Sequence, residues 1–319
     1  MNQTTKKQHY IWRTYLAPWT VDNSNTGTIM CLRGDRIFPV SLMKIASENC
    51  FYGVKELTPI ERNLIYEMAI KKTEGAQREA NEGCLSLYCA AFDYVDWMVS
   101  KSYSIWDQTG RIIIRENQEF KNWNIEQIEK LHGIIEDDGM EFLLSLRKND
   151  LSFWKDDTMR DRFSFFLANQ YFRTKKSRDA ILTSFEIAKA KLNAFKDIRP
   201  ENMWIPLSLI YASNVGVYIS QVFSPVLLQT DNYFIVGDQP VINTKSTFDP
   251  DIPPEDVEFF YPITPNCALL LTANRKYSSG ETIRISTNET SAYNQMEKRA
   301  AHEQIFAKEE SQLIAFLNS

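Results

Sequence analysis

Residues 202–230 read Asn-Met-Trp-Ile-Pro-Leu-Ser-Leu-Ile-Tyr-Ala-Ser-Asn-Val-Gly-Val-Tyr-Ile-Ser-Gln-Val-Phe-Ser-Pro-Val-Leu-Leu-Gln-Thr and contain no Asp, Glu, Lys or Arg. A stretch this apolar is long enough to cross a bilayer. Pro206, Ser208, Asn214, Gly216, Gln221 and Pro225 interrupt it, however, and its flanks lack the basic bias of a membrane span. The reading that satisfies both observations is a buried central helix ending near Gln221, followed by a strand. The fold turns on this junction, because the patterns on its two sides differ.

Upstream, helical spacing dominates. Apolar periodicity predicts helices over 82–100, 124–147, 157–174, 177–196 and 205–221, with turn signals at Asp107-Gln-Thr-Gly110 and Lys148-Asn-Asp150. An earlier helix opens at Thr58-Pro-Ile-Glu61. Thr58 suits the cap, Pro59 the first helical position, and Glu61 can reach back to close a capping box. Residues 28–40 read as a hairpin turning at Arg33-Gly-Asp35. Downstream, 226–230, 233–236, 259–263 and 268–272 read as short strands, parted by Asp231-Asn232, a proline-rich loop over 249–254 and Pro265-Asn266. A helical pattern returns from Asn288 to the C-terminus.

Strand signals at both ends and helices between them predict an α+β fold. Its sheet is expected to be mostly antiparallel and built from N- and C-terminal strands, with the mainly helical middle packed on it. The hairpin, 233–236 and 268–272 are expected in one sheet, since none is stable alone. The organisation expected is a single domain over 1–319; a subdivision would set a helical region, 55–221, against a sheet region, 1–54 with 222–319.

Composition narrows the class. Of the 319 residues, 44% are hydrophobic and 13% aromatic, which excludes disorder, and the net charge of −5 argues against a surface devoted to nucleic acid. The first residues carry no apolar core of a secretory signal. Five cysteines, with no C-x-x-C pair, read as reduced thiols, so a cytoplasmic location and no membrane association are expected. Glycine-rich phosphate loops, zinc spacings and a Gly-x-Ser-x-Gly elbow do not occur. One local departure stands out: residues 160–191 hold eight basic side chains against three acidic ones. Such a run reads as phosphate or nucleic-acid contact, or as a solvated helical face.

The densest polar constellation is Lys6-Lys-Gln-His-Tyr-Ile-Trp-Arg-Thr-Tyr-Leu16. Termini fray unless tied down. The apolar bulk of Tyr10, Trp12, Tyr15 and Leu16 predicts that this one is docked, bringing Gln8, His9, Arg13 and two phenols to the body of the fold. His9 can move a proton or ligate a metal, and Arg13 offers the fork that anions prefer. Asp238 ends an apolar run just before Gln239-Pro240, at the end of a strand. Gln170 shares a helical face with Phe163 and Phe166, and Arg173 and Thr174 continue it, so these polar groups need partners. Each also has a structural reading: a wall histidine, a turn aspartate, a network tying helix to sheet.

The same N-terminal stretch resembles the opening Gln-His-Tyr-x-Pro-Arg-x-Tyr-Leu segment of the bacterial domain-of-unknown-function family 4238, matching at Gln8, His9, Tyr10, Arg13, Tyr15 and Leu16, with Trp12 for proline. Further similar segments follow in the family's order. They are Lys44-Ile-Ala-Ser-Glu-Asn-Cys-Phe-Tyr52, Phe166-Leu-Ala-Asn-Gln-Tyr-Phe-Arg-Thr174 with Lys175 for proline, Val236-Gly-Asp-Gln-Pro-Val241, Tyr261-Pro-Ile-Thr-Pro265, and Asn294. The resemblance implies an effector or toxin enzyme of a defence or toxin–antitoxin system, acting on nucleic acid or another phosphate-bearing substrate. A nucleotide or nucleic acid and a neutralising or sensor protein are then the expected partners. His9, Arg13, Asp238 and Asn294 are the expected catalytic set, with Asp238 orienting His9 or ligating a divalent metal. Gln8, Tyr10, Tyr15, Gln170, Arg173 and Gln239 are expected to bind substrate. The rival class is a non-catalytic ligand- or partner-binding module, for which the polar residues only shape a pocket or clasp the N-terminus.

Overall fold

A computed structural model describes residues 7–100, 118–192, 195–247, 252 and 254–317. The turn expected at 107–110 and most of the loop expected over 249–254 lie outside the described residues. The chain divides into two compact units, the first formed by Met1–Gln8, Glu48–Ile135 and Arg178–Asn214, the second by His9–Ser47, Glu136–Ser177 and Val215–Ser319.

The first unit is helical. Its helix Pro59–Ile65 starts as the sequence predicts: Thr58 Oγ1 accepts from Glu61 N at 3.2 Å, and Glu61 accepts from Thr58 N at 2.7 Å. Glu61 is fully buried and also accepts from the Arg199 backbone at 2.8 Å, so the cap fixes a second segment. Helix Gly75–Ser100 is anchored by amides: Gln77 donates to Ser213 and Asn214, and Asn81 to Asn214. The remaining helices of this unit belong to Gln118–Arg147, Lys175–Lys191 and Pro200–Val222, whose chains pass on into the second unit.

Pro200–Val222 is the one helix among the described residues long and apolar enough to span a membrane, and 67% of its most apolar window is buried inside the fold. It leads directly into the strand Ser224–Gln229, as the 202–230 stretch predicts.

The second unit holds two sheets. One has four strands in the order Arg36–Ser41, Thr28–Arg33, Ile305–Ala307, Val236–Gly237, all antiparallel. The other has five, in the order Glu281–Arg284, Ser224–Gln229, Cys267–Thr272, Phe259–Thr264, Ile242–Asn243, with only the first pair parallel. Helices in the middle and antiparallel sheets from both chain ends make this the α+β arrangement the sequence predicts.

Two expectations are corrected. The hairpin and Val236 share a sheet, but 268–272 pairs with Ser224–Gln229 and Phe259–Thr264 in the other. The pattern after Asn288 is also not helical throughout: helix Thr287–Ala300 ends and Ile305–Ala307 forms the strand joining the hairpin to Val236–Gly237. The expected strand over 233–236 shrinks to Val236–Gly237 for a specific reason. Asn294 on that helix accepts from Ile235 N at 3.0 Å and donates to Tyr233 O at 2.9 Å, while Phe234 N donates to Pro265 O. A side-chain amide and a turn carbonyl occupy the groups that a neighbouring strand would otherwise use.

The larger sheet packs Val226, Leu228, Phe260 and Leu270 with Phe234 and Ala300. Tyr293 stacks on Phe260 at 4.4 Å. The smaller sheet packs Leu32, Ile235, Ile305 and Ala307 with Leu313 and Phe316 of the C-terminal segment.

Candidate functional site

Asp238 stands at the end of its strand, as expected, and is buried. Its carboxylate accepts three backbone N–H groups, from His302 at 2.6 Å, Glu303 at 2.9 Å and Gln304 at 3.1 Å. The Asp238 backbone N–H donates to Gln304 O, so the residue locks the turn that feeds Ile305–Ala307 into the sheet. Burial raises its pKa, opposed by those three amide bonds. The expected pairing with His9 is not formed. Three of the roughly four acceptor positions of the carboxylate serve the 302–304 turn, and no hydrogen bond joins it to His9 among the described residues.

Asn294 has the strand-clamping role described above. One helical turn on, Glu297 is fully buried and accepts from Gly237 N at 3.0 Å. Glu297 was missed by sequence reading, although its i+3 spacing from Asn294 puts both on one face. Burial holds its pKa well above the usual carboxylate range, the Gly237 amide and Lys176 acting against it. Gln239 donates to the Tyr171 and Val241 carbonyls and accepts from Thr174, closing the helix–sheet network.

The N-terminal motif is docked. Gln8, in the first unit, is fully buried, accepts from Tyr52 N at 2.7 Å and donates to Glu129 at 3.3 Å. In the second unit, the Tyr10 hydroxyl accepts from Gln304 at 3.2 Å, next to the Asp238 turn. Arg173, only 4% exposed, pairs with Glu136 at 2.5 Å and donates to His9 O at 3.0 Å. Arg13 is half-buried against Met43 Sδ, and His9 is half-buried. Tyr15 stacks on Tyr261 at 4.8 Å, both fully buried. Gln170 is buried on the face the helical spacing predicts. The hydroxyls of Tyr15 and Tyr261, Gln170 Nε2, Glu297 Oε1 and Gln304 Oε1 are buried and have no hydrogen-bond partner among the described residues.

The departures from the family pattern have local uses. Trp12 fills space against Phe166 at 6.1 Å, edge to face. Lys175 takes the first position of its helix, where proline is also suited, and pairs with Glu303 at 2.6 Å. At Gly237 a Cβ would meet Ala301 Cβ at 3.1 Å, so a serine there would crowd the end of the helix.

The basic run over 160–191 is largely neutralised. Arg160 pairs with Asp157, Arg162 with Asp138 and Glu141, Arg173 with Glu136, Lys175 with Glu303, Arg178 with Glu48 and Asp179, and Lys189 with Glu186. Lys176 donates to Ala300 O and is buried enough that its pKa falls. No group of three or more His, Cys, Asp or Glu suited to a metal occurs among the described residues.

Two of the clefts among the described residues are candidate ligand sites. In the first unit, a cleft of about 560 Å³ is lined by Phe51, Phe92, Phe120 and Trp204, with Lys55, Lys121, Asn124 and Arg178 at its polar margin. Phe51 meets Trp204 at 5.2 Å and lies under the Arg178 guanidinium at 4.7 Å. Gln8 underlies this wall through its bond to Tyr52. Asn124 is 6% exposed, and its Oδ1 is buried with no donor among the described residues. In the second unit, a cleft of about 620 Å³ is lined by Arg147, Lys308, Asn23, Asn232, Thr264 and Asn266, among others. None of these lining residues is among the site residues expected from the sequence; Asn124 and Arg147 sit in ordinary helical patterns.

The family model described as Protein of unknown function (DUF4238) matches residues 7–311, and the chain belongs to that family. No curated protein and no solved structure matches it.

Proposed function

Proceeding from that membership, we propose that this protein is a ligand-binding module whose ligand is a nucleotide, held in the aromatic cleft of the helical unit. The observation that carries the reading is Asn124: a buried amide carbonyl lacking a donor among the described residues, in a cleft walled by Phe51, Phe92, Phe120 and Trp204. Buried acceptors are normally satisfied, and leaving one unpaired costs about 1–3 kcal/mol. A nucleobase supplies both an aromatic face for the walls and an N–H for Asn124. Lys55 and Lys121, both exposed at the margin, are placed for the charge of a phosphate. Arg178 is committed to Glu48 and Asp179 and contributes mainly its flat face over Phe51.

The test is titration of the intact chain with adenosine, guanosine, cytidine and uridine monophosphates, followed by intrinsic tryptophan fluorescence and calorimetry. Saturable binding of at least one nucleotide is expected. Asn124→Ala should weaken it about tenfold, the worth of one buried hydrogen bond. Lys121→Ala should weaken it less and steepen no part of the unfolding curve. Absence of saturable binding by all four, or full affinity in folded Asn124→Ala, rules the reading out.

A further inference from the structure

We propose that the cleft lined by Arg147 and Lys308 in the second unit is a binding site for a phosphate group. Arg162, Arg173 and Lys175 all face carboxylates, whereas neither Arg147 nor Lys308 has an acidic partner among the described residues. Asp231 lines the same cleft, but its carboxylate is taken by Arg284 at 3.1 Å.

Arg147 is half-buried, and one end of its guanidinium is spent on backbone: Nη2 donates to Thr14 O at 2.8 Å and to Tyr15 O at 3.4 Å. Its Nε–H is buried and has no acceptor among the described residues. Burial lowers its pKa, which means that the fold bears a desolvated cation without a counter-charge. An anion in the cleft would offset that cost. Lys308 donates to Asn23 Oδ1 at 3.2 Å and keeps further N–H groups for a ligand. Asn266, Asn232 and Thr264 complete the rim with neutral polar groups, and the Asn266 amide is already oriented by the Thr230 and Asn232 carbonyls.

The remaining Arg147 Nη1 and the Lys308 ammonium bring two cationic donors to one cleft from different elements, which suits a group with several oxygens in different directions, phosphate rather than a planar carboxylate. At about 620 Å³ the cleft also has room for more than a phosphate ion, so a small phosphate monoester fits the volume. This site is independent of the aromatic cleft and shares no residue with it.

The experiment is calorimetric titration of the full chain at constant ionic strength with inorganic phosphate, glycerol phosphate and acetate. Saturable binding of phosphate or of the monoester, and of neither at the level of acetate, is expected. Lys308→Ala should weaken it about tenfold, as loss of one charge-assisted hydrogen bond does. Lys276→Ala, exposed and outside the cleft, should leave it unchanged. Because Arg147 also holds the Thr14 and Tyr15 carbonyls, Lys308→Ala carries the test. Tighter binding of glycerol phosphate assigns the ligand to organic monoesters, and equal binding assigns it to free phosphate. No saturable phosphate binding, acetate binding as well as phosphate, or unchanged affinity in Lys308→Ala overturns the proposal. Nucleotide binding that survives Lys308→Ala but not Asn124→Ala keeps the two sites distinguishable.

Discussion

Arg173 shows what a single side chain decides in this fold. It is buried, faces Glu136 at 2.5 Å, and spends its second donor on the His9 carbonyl. Glu136 is half-buried, and burial raises its pKa while Arg173 lowers it, so each charge depends on the other. Arg173→Ala should therefore destabilise the protein by about 3 kcal/mol or more, because it removes a buried guanidinium from a half-buried carboxylate and frees the docked N-terminal segment. Arg173→Lys should recover only part of the loss, since an ammonium cannot span both partners with a planar fork. Urea unfolding at pH 7 checks both; a loss within about 0.5 kcal/mol for the alanine variant would place Arg173 in a surface role instead. At this scale the sequence was informative about which residues matter and uninformative about what they do. Helical spacing put Gln170 and Arg173 on the buried face, and proline placed Asp238 at a strand end. The partners that define their roles are backbone groups far along the chain: the 302–304 amides for Asp238, the 233–235 backbone for Asn294. Nothing in a side chain's identity announces that its acceptor or donor is a backbone group 60 positions away.

The strand Ile305–Ala307 is the element that best explains the sheet and the one the sequence concealed. It is three residues long, follows a helix closely, and shows no alternation because all three residues are buried. Yet it lies between Thr28–Arg33 and Val236–Gly237, with Phe306 opposite Cys31 and Val236. Without it the N-terminal hairpin has no connection to the C-terminal half of its sheet. Longer elements were legible because capping and periodicity repeat over several turns: Thr58–Glu61 closes its box as the sequence indicates. The division of strands between two sheets was not, since Cys267–Thr272 is buried along its whole length and carries no mark of which neighbour it chooses. Phe306→Ala should cost about 3–5 kcal/mol, the usual range for emptying a fully buried aromatic site. Hydrogen exchange in that variant should accelerate in 28–41 and 305–307 before it does in 224–229. Equal acceleration in both sheets would show that the strand does not selectively hold the smaller sheet together.

At the level of the whole molecule, the second unit carries an unusual electrostatic load. Buried Asp238 and Glu297 and half-buried Glu136 all have raised pKa values, desolvation being the main cause in each. A group whose folded pKa lies above its unfolded value binds protons more readily in the folded state, so stability falls as pH rises through that interval. Its contribution is complete below the ordinary carboxylate range and is lost progressively up to the folded pKa. Exposed carboxylates act in the opposite sense: hydrogen bonds from Ser24 hold Asp22 below its usual value, and those from Ser286 hold Glu289 down. Their contribution is present above the ordinary range and disappears as pH falls through the depressed values, so the two windows do not overlap. Glu297→Gln separates them, because glutamine keeps an oxygen to accept from Gly237 N while removing the titration. Relative to wild type, Glu297→Gln should gain stability steadily from about pH 4.5 towards neutrality, the sign set by linkage. Below that range the two proteins should differ little. Urea midpoints measured between pH 3.5 and 8 check this as a difference curve. A flat difference would mean that Glu297 ionises normally in the fold, and a difference of the opposite sign would mean that its charge is stabilised by Lys176 rather than suppressed by burial.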